Sequence, residues 1–267
     1  MASNLSRGGY LTRGSLHHFS RLIIFGLGLI LLNPTVILPQ QQVPEWFAQL
    51  PEAPPKQLFA VGVAGKYLRP QRARAAALQD AYRNLAKQIL VKLKFELIEL
   101  SDGRLQITNP KFDLRYYDNR LDDIELNSVI LDSVITAEGY FVIIAYPAEK
   151  KSGGFGCSLR SWGPAPEWVS HIPKDRDYVY GIGMVARYGR WLRAWQDADA
   201  LARFDVAKNI QVEVQSLHTS QRDDRHTIES TTRRQSLDLT LRNATIIARW
   251  YDCKSDTYYS LCRAPRQ

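Results

Sequence analysis

The sequence predicts an α+β protein with two repeated β-α-β-β-type domains, each with a helix packed on an antiparallel sheet, after an N-terminal hydrophobic helix. Three observations predict this fold: an apolar run near the N-terminus, a segment that recurs 121 residues later, and a hydrophobic period that changes from four to two within each copy. The 267 residues are 45% hydrophobic and 23% charged. This composition excludes collagen-like, coiled-coil and wholly disordered chains.

The N-terminal residues 1–43 have the pattern of an export signal. Residues 1–21 contain three arginines and no acidic residue, and residues 22–38 are uncharged and mostly apolar. As a helix, residues 22–38 would span roughly 25 Å, against a hydrocarbon core of ~30 Å. No pair of small residues marks a cleavage site after this run. We therefore expect a signal sequence or an uncleaved signal-anchor in the inner membrane, with its basic end in the cytoplasm. A buried core helix is the alternative.

After the signal, the sequence contains two copies of one unit. Pro44-Glu45-Trp46 recurs as Pro166-Glu167-Trp168, and residues 73–93 align with residues 194–214 without a gap, at seven identities in 21 positions. A glycine-rich linker at Lys150–Pro166 separates the copies. The predicted domains are residues 44–150 and residues 151–267.

Each copy begins with a strand and a helix. Apolar runs at Leu58–Ala64 and Tyr178–Val185 predict strands that contain glycine. Helices are predicted from Pro70 to about Lys87 and from Trp191 to about Lys208. Their small residues lie four apart, which places them on one helix face close to the sheet: Ala73, Ala77, Ala81 and Leu85 in the first, and Ala194, Ala198, Ala202 and Val206 in the second.

The period then changes to two and predicts a half-buried strand in each copy. Apolar residues alternate with polar ones over Ile89–Leu97 and over Ile210–Val214. A polar insert without assigned structure follows in each copy (Glu99–Asn127 and Leu217–Arg242), and then a hairpin (Val129–Ala137 with Tyr140–Tyr146, and Thr245–Asp252 with Tyr258–Arg263). One helix covers only one face of a sheet. The other face is expected to meet the insert, the sister copy or another molecule.

This order of elements resembles the LPP-twenty family of envelope lipoproteins, and it is similar to the N-terminal domain of flagellar assembly protein T. The resemblance implies a non-enzymatic periplasmic or outer-membrane protein, and some members of the family serve motility structures such as the flagellum. The family's lipid anchor does not carry over, because the first cysteine is Cys157 and none directly follows the apolar run. Inner-membrane tethering or a soluble periplasmic form is expected instead. The residues that carry the resemblance are Pro166, Glu167, Trp168, Tyr180, Gly181, Gly183, Ala194, Ala198, Ala202, Lys208, Ile210, Val212, Trp250, Tyr258, Tyr259 and Leu261.

An aromatic and basic cluster at the start of the second helix is a candidate partner-binding surface. Such a surface suits a partner protein or lipid head groups, and the alternative is a solvated helix face. The net charge is +3 for residues 1–43, 0 for residues 44–150 and +5 for residues 151–267, which is too small an excess to predict nucleic-acid binding. Trp46 and Trp168 are expected to be buried at the sheet edges. The cluster is Arg187, Tyr188, Arg190, Trp191, Arg193 and Trp195.

Other patterns point to chemistry only weakly. Cys253 and Cys262 flank the last turn and are a candidate disulfide. A turn centred on residues 255–256 would instead set Cys253 opposite Tyr258. Gly181-Ile182-Gly183-Met184-Val185-Ala186 has dinucleotide-binding spacing, but the predicted helix starts several residues too late. No cofactor, metal site, catalytic residue or small-molecule substrate is predicted.

These observations lead us to expect a non-enzymatic cell-envelope protein with a binding or assembly role in a flagellar or outer-membrane-associated structure. Its partners would be envelope proteins or a second copy of the chain. The membrane would be reached through residues 22–38. The alternatives are a periplasmic enzyme or peptidoglycan-binding module, and a membrane-peripheral regulator that acts through the basic second copy.

Overall fold

The chain has an α+β fold with four helices and several antiparallel sheets among the residues that the computed structural model describes. Those residues are 42–67, 69–99, 105–112, 115–148, 158–220 and 234–266. The predicted signal segment 22–38 and Cys157 lie outside them. None of the helices in this described part has the length and hydropathy needed to cross a bilayer.

The helices are α1 (Glu45–Ala48), α2 (Pro70–Ile89), α3 (Arg115–Leu126) and α4 (Trp191–Ser220), with a short 3-10 turn at Glu167–Val169. The strands are β1 (Gln42–Pro44), β2 (Leu58–Ala64), β3 (Leu90–Glu99), β4 (Leu105–Phe112), β5 (Val129–Ile135), β6 (Tyr140–Tyr146), β7 (Leu159–Ser161), β8 (Tyr178–Ala186), β9 (Arg234–Arg242), β10 (Thr245–Asp252) and β11 (Thr257–Pro265).

The first half of the chain forms a three-stranded antiparallel sheet in the order β2-β6-β5, here called the first sheet. Its strand β2, its helix α2 and its hairpin β5-β6 are those predicted from the sequence. Pro70 opens α2 at a position where proline costs no helix hydrogen bond. The alanines that predicted the buried helix face are buried, with Ala77 and Ala81 fully so.

The second half forms another three-stranded antiparallel sheet, in the order β8-β11-β10, here called the second sheet. Strand β8 and the final hairpin are also as predicted. Helix α4 starts at Trp191, as expected, and buries the predicted alanine stripe. In each half the edge strand that precedes the helix pairs with the last strand of that half.

The predicted strand at Ile210–Val214 is wrong, because α4 continues through these residues to Ser220. The alternation there covers only five residues, and Ala207, Ile210 and Val214 also satisfy helical spacing. Ile210 packs against the core while Val212 is 38% exposed, as expected for different faces of a helix. The alternation in β3 is twice as long, and there Val91, Leu93 and Phe95 are all buried.

The two inserts contribute to a third sheet that joins the halves, in the order β4-β3-β9. Strand β4 and helix α3 come from the first insert, and β9 comes from the second. Strand β3 pairs antiparallel with β9 along nine residues. The rings of Phe95 on β3 and Phe204 on α4 meet edge to face at 5.8 Å. This sheet therefore ties α4 to the strand that follows α2.

The two halves share their hydrophobic cores instead of having one core each. The described residues from Gln42 onward belong to one compact unit, and both core clusters take residues from both halves. The first sheet has one face against α2, while Phe141 on its other face meets Phe47 at 5.1 Å and Trp191 at 6.1 Å between ring centroids. The sister half and helix α1 thus cover the face that α2 leaves bare.

The folded body begins within the range assigned to the signal. Strand β1 pairs with β7 in the linker region, and Val43 is 2% exposed. Trp46 is buried and donates a hydrogen bond from Nε1 to Asp132 on β5 at 3.1 Å. Trp168 is only half-buried. The expectation of a buried tryptophan at the sheet edge is therefore met in the first half alone.

Candidate functional site at the seam between the halves

Helices α2 and α4 lie very close to the edge strands β2 and β8, and glycines in these strands make this possible. A Cβ on Gly62 would lie 2.0 Å from the carbonyl oxygen of Ala77, and one on Gly183 would lie 1.9 Å from that of Ala198. These two pairs are each related by 121 residues. Glycine therefore serves close helix approach in β8, which explains the spacing that resembles a dinucleotide-binding loop.

An aspartate and an asparagine on each helix satisfy the free edge of the neighbouring strand. On α2, Asp80 accepts from the Val63 N–H and Asn84 donates to the Val61 carbonyl oxygen, both at 2.9 Å. On α4, Asp205 accepts from the Ile182 N–H at 2.9 Å and Asn209 donates to the Tyr180 carbonyl oxygen at 2.8 Å. We call these the edge clamps. They occupy strand edges that would otherwise remain open for pairing.

A buried ion pair fixes α4 to the second sheet. The carboxylate of Asp199 accepts two hydrogen bonds from Arg249, at 3.1 and 2.7 Å, and one from Ser260 at 2.6 Å. Arg249 also donates from Nη1 to the Phe47 carbonyl oxygen at 3.2 Å, and its guanidinium lies over the Phe47 ring. Asp199, Arg249 and Ser260 are each at most 6% exposed. The carboxylate of Asp199 thus accepts three hydrogen bonds from Arg249 and Ser260.

A second arginine beside this pair lacks such a partner. Arg203 is 3% exposed and donates from Nη1 to the Asp199 carbonyl oxygen at 3.1 Å. Its buried Nε has no hydrogen-bond partner. No ion pair among the described residues includes Arg203. A buried guanidinium without a carboxylate partner is costly, so this group stands out in the seam.

The polar cluster continues to α2 and connects the two helices. Gln196 on α4 donates to Asp80 on α2 at 3.2 Å. Burial raises the pKa of the Asp80 carboxyl above its ordinary value. Burial, and then the positive charge of Arg203, lowers the pKa of Lys87. The seam thus contains two acids, Asp80 and Asp199, and three bases, Lys87, Arg203 and Arg249.

A groove and a small cavity lie next to this cluster. The groove has a volume of about 510 Å³ and is lined by both halves. The cavity, at about 10 Å³, has room for one water-sized atom, and both Arg203 and Arg249 line it. Leu50, Phe59 and Gln88 line both spaces. The remaining groove residues are Gln49, Pro51, Glu52, Ala53, Gln57, Leu58, Tyr178, Asn243, Thr245, Ile247, Arg263 and Pro265.

The seam cluster and its groove are the strongest candidate for a functional site. Comparisons with known protein families, with curated proteins and with solved structures find no match to this chain. In the described part of the chain, His, Cys, Asp and Glu side chains nowhere gather in threes as metal ligands would. The groove lining offers a ligand hydrogen-bonding amides, the carboxylate of Glu52 and the guanidinium of Arg263, and these two charged groups lie 3.9 Å apart.

The predicted aromatic and basic cluster at residues 187–195 is only partly a surface. Trp195 is 3% exposed and packs edge to face on Tyr258, so it is unavailable to a partner. Trp191 is half-buried against Phe141. Trp195 fails as a surface residue because its position, one residue after Ala194, places it in the core.

The charges of this cluster are largely paired within the chain. Arg187 lies 3.0 Å from the carboxylate of Asp256, and Arg193 lies 3.1 Å from that of Asp197, which also accepts from the Tyr188 hydroxyl. Arg190 is exposed. The exposed members are therefore Arg187, Tyr188, Arg190 and Arg193, and their role in partner binding stays a prediction.

The candidate disulfide is wrong, since both cysteines are free. The β10-β11 register sets Cys262 opposite Ile246, while Cys253 lies exposed in the turn. Burial raises the pKa of the Cys262 thiol to about 12. This cysteine therefore belongs to the core and lacks the reactivity of an exposed thiol.

Sequence reasoning missed the seam cluster. One signal was present: each predicted helix carries an aspartate and an asparagine four residues apart, Asp80 with Asn84 and Asp205 with Asn209. A second signal is that Asp199 and Arg203 each directly follow an alanine of the buried stripe. Charged residues so close to a buried helix face indicate a buried polar network.

Proposed function

We propose that this chain is a non-enzymatic cell-envelope protein with a binding or assembly role. Residues 22–38 would hold it in the inner membrane with the folded body in the periplasm, or would be cleaved to release that body. The arginines of residues 1–21 and the apolar run after them support export. The resemblance to envelope lipoproteins supports the same compartment.

The observation that carries the binding role is an apolar row on the outer face of the second sheet. Met184, Tyr259 and Trp250 lie side by side across β8, β11 and β10. Met184 is 59% exposed, and Tyr259 and Trp250 are half-buried. In the first sheet the matching row is covered by aromatic side chains of the chain itself. A protein partner that brings an apolar or aromatic segment suits the open row.

The compartment is tested by fractionating cells that express the full chain, with an alkaline wash of the membranes. We expect the protein in the washed membrane pellet or in the periplasmic fraction. A variant that lacks residues 22–38 should remain in the cytoplasm. Recovery of the full chain entirely in the soluble cytoplasm would contradict the envelope proposal.

The binding role is tested with a photo-crosslinking amino acid at Met184 in cells. Leu126 on α3 provides the matched control, because it is an exposed apolar residue at 82% exposure outside the row. We expect a specific adduct with an envelope protein, or with a second copy, at Met184 and none at Leu126. Equal labelling at the two positions, or no adduct at Met184, would contradict the role.

We also propose that the two halves derive from one duplicated β-α-β-β unit. The 121-residue repeat and the recurring contact between a strand glycine and a helix alanine support this proposal. The equivalent strand orders β2-β6-β5 and β8-β11-β10 support it as well. A set of homologous sequences in which either half occurs alone or in further copies would test it, and a set in which the halves never align would contradict it.

A further inference from the structure

The seam between the halves contains a buried guanidinium that no carboxylate pairs with among the described residues. The Asp199 carboxylate accepts hydrogen bonds from Arg249 and Ser260, while Arg203 donates to the Asp199 carbonyl oxygen. Arg203 is 3% exposed, and its Nε is buried without a hydrogen-bond partner.

This guanidinium lies next to the groove. Arg203 lines the cavity that has room for one water-sized atom, and the cavity adjoins the 510 Å³ groove through three shared residues. A carboxylate oxygen has the size that this cavity accepts. One oxygen placed there would meet a guanidinium whose Nε is buried and has no partner. Charge-assisted hydrogen bonds of this kind are among the stronger polar contacts in proteins.

The groove indicates the size and character of the rest of the ligand. Its volume lies within the range of sites for small organic ligands, which is about 300–1,000 Å³. Four amide side chains line it: Gln49, Gln57, Gln88 and Asn243. Amides donate and accept hydrogen bonds, so they suit a ligand that carries amide or hydroxyl groups. Arg263 lies over the Tyr178 ring, which closes that ring face to stacking.

We propose that the groove binds a small organic acid of about dipeptide size, one of whose carboxylate oxygens occupies the cavity and pairs with Arg203. The amide side chains hold the polar body of the ligand in the groove. This site differs from the apolar row on the second sheet, and it does not depend on the assembly role.

The test is calorimetric titration of the full chain with acetyl-alanyl-alanine and with its C-terminal amide, which differ only in the carboxylate. We expect saturable binding of the acid, and binding of the amide weaker by at least about tenfold, the loss of one charge-assisted hydrogen bond. Acetate carries the carboxylate but lacks the groups that would contact the amide side chains of the groove. It should therefore bind more weakly than the dipeptide acid, and equal binding would mean that the site recognises the carboxylate alone. Equal binding of acid and amide would overturn the proposal, as would the absence of saturable binding of the acid.

The variant Arg203→Met retains side-chain length and removes the charge. It should lose the preference for the acid over the amide. The control is Arg187→Met, which alters an exposed arginine between β8 and α4, and this variant should retain wild-type binding. A folded Arg203→Met protein that still prefers the acid would contradict the assignment of Arg203. If this variant does not fold, the comparison of acid and amide on the unaltered chain still decides the proposal.

Discussion

The two main sheets have the same strand order but opposite exposure on their outer faces. In the first sheet, Val63 is 5% exposed and Phe141 is fully buried. The residues at the matching places in the second sheet are Met184, which is 59% exposed, and the half-buried Tyr259. The match follows from the strand registers, which set Val63 opposite Phe141 and Met184 opposite Tyr259.

The difference arises from what precedes each sheet. Trp46 and Phe47 come just before the first sheet, and they fold onto it together with Trp191 from the other half. The corresponding Trp168 before the second sheet lies half-buried in a short 3-10 turn. A two-layer unit with one helix leaves one sheet face bare. Here one such face is covered within the chain, while the other is exposed at Met184 and half-buried at Tyr259 and Trp250.

Truncating the central aromatic of each row should give the largest difference between the sheets. Phe141→Ala should lower the free energy of unfolding by about 3–5 kcal/mol, because it empties a fully buried site. Tyr259→Ala should cost less than about 1.5 kcal/mol, because its ring is only partly buried. Urea unfolding of the two variants measures this difference. Equal costs would mean that the second sheet is covered as completely as the first.

Asp199 and Ser260, which belong to the ionic group of the second half, occupy the places of apolar residues in the first. The repeat matches Asp199 to Leu78, and the strand registers match Ser260 to Val142. Asp199→Leu should cost about 3–5 kcal/mol, because it leaves the buried Arg249 without a carboxylate partner.

The triple variant Asp199→Leu, Ser260→Val, Arg249→Met should recover most of that loss and come within about 1 kcal/mol of the wild type, because it removes every member of the ionic group together. Denaturant titration checks both variants. A triple variant as unstable as the single one would show that the ionic group is needed for the fold of the second half.

A methyl group added where each sheet contacts its helix tests how far that sheet can move to accommodate it. Gly62→Ala and Gly183→Ala both place a Cβ against a helix carbonyl. Such overpacking typically costs about 1–3 kcal/mol. Gly62→Ala should cost more, because the first sheet is packed on both faces and cannot shift away from α2.

Thermal unfolding of the two variants, with Gly189→Ala as control, measures this contrast. A Cβ on Gly189 meets nothing within 4 Å, so that variant should retain wild-type stability. A larger loss for Gly183→Ala than for Gly62→Ala would contradict the idea that the second sheet can move outward.

The sequence predicted local elements well where one period persisted over many residues. Strand β2, helix α2, strand β3 and both hairpins have the positions expected from their patterns. The error at Ile210–Val214 came from a five-residue alternation that a helix also satisfies. Periodicity reports only the faces of a single element, so short runs leave the choice open.

The hydrophobic pattern of the sequence did not predict how the two halves pack against each other. Pairing of β3 with β9 and the cover on Phe141 are contacts between residues far apart in sequence. The same holds for the site: Asp199 meets Arg249 across 50 positions. Hydrophobic spacing predicts which side of a helix is buried, but it does not identify the polar partner that a buried charge finds there.

The edge clamp of the first half should make the stability of the protein depend on pH through Asp80. Burial raises the folded-state pKa of Asp80 above its unfolded value, so the folded protein binds a proton more tightly there than the unfolded chain does. The contribution of Asp80 to stability is then greatest at acidic pH and declines as the pH rises through its ordinary pKa toward the raised one. Asp80→Asn retains an oxygen for the Val63 N–H and removes the titration.

As the pH rises from about 4 toward neutrality, the free energy of unfolding of Asp80→Asn should therefore increase relative to that of the wild type. Urea titrations of the two proteins over a series of pH values measure the effect. The opposite result, a free energy of unfolding that increases for the wild type relative to Asp80→Asn over this interval, would mean that the carboxylate is stabilised at the seam. Its interactions with Lys87 and Gln196 would then outweigh the cost of its burial.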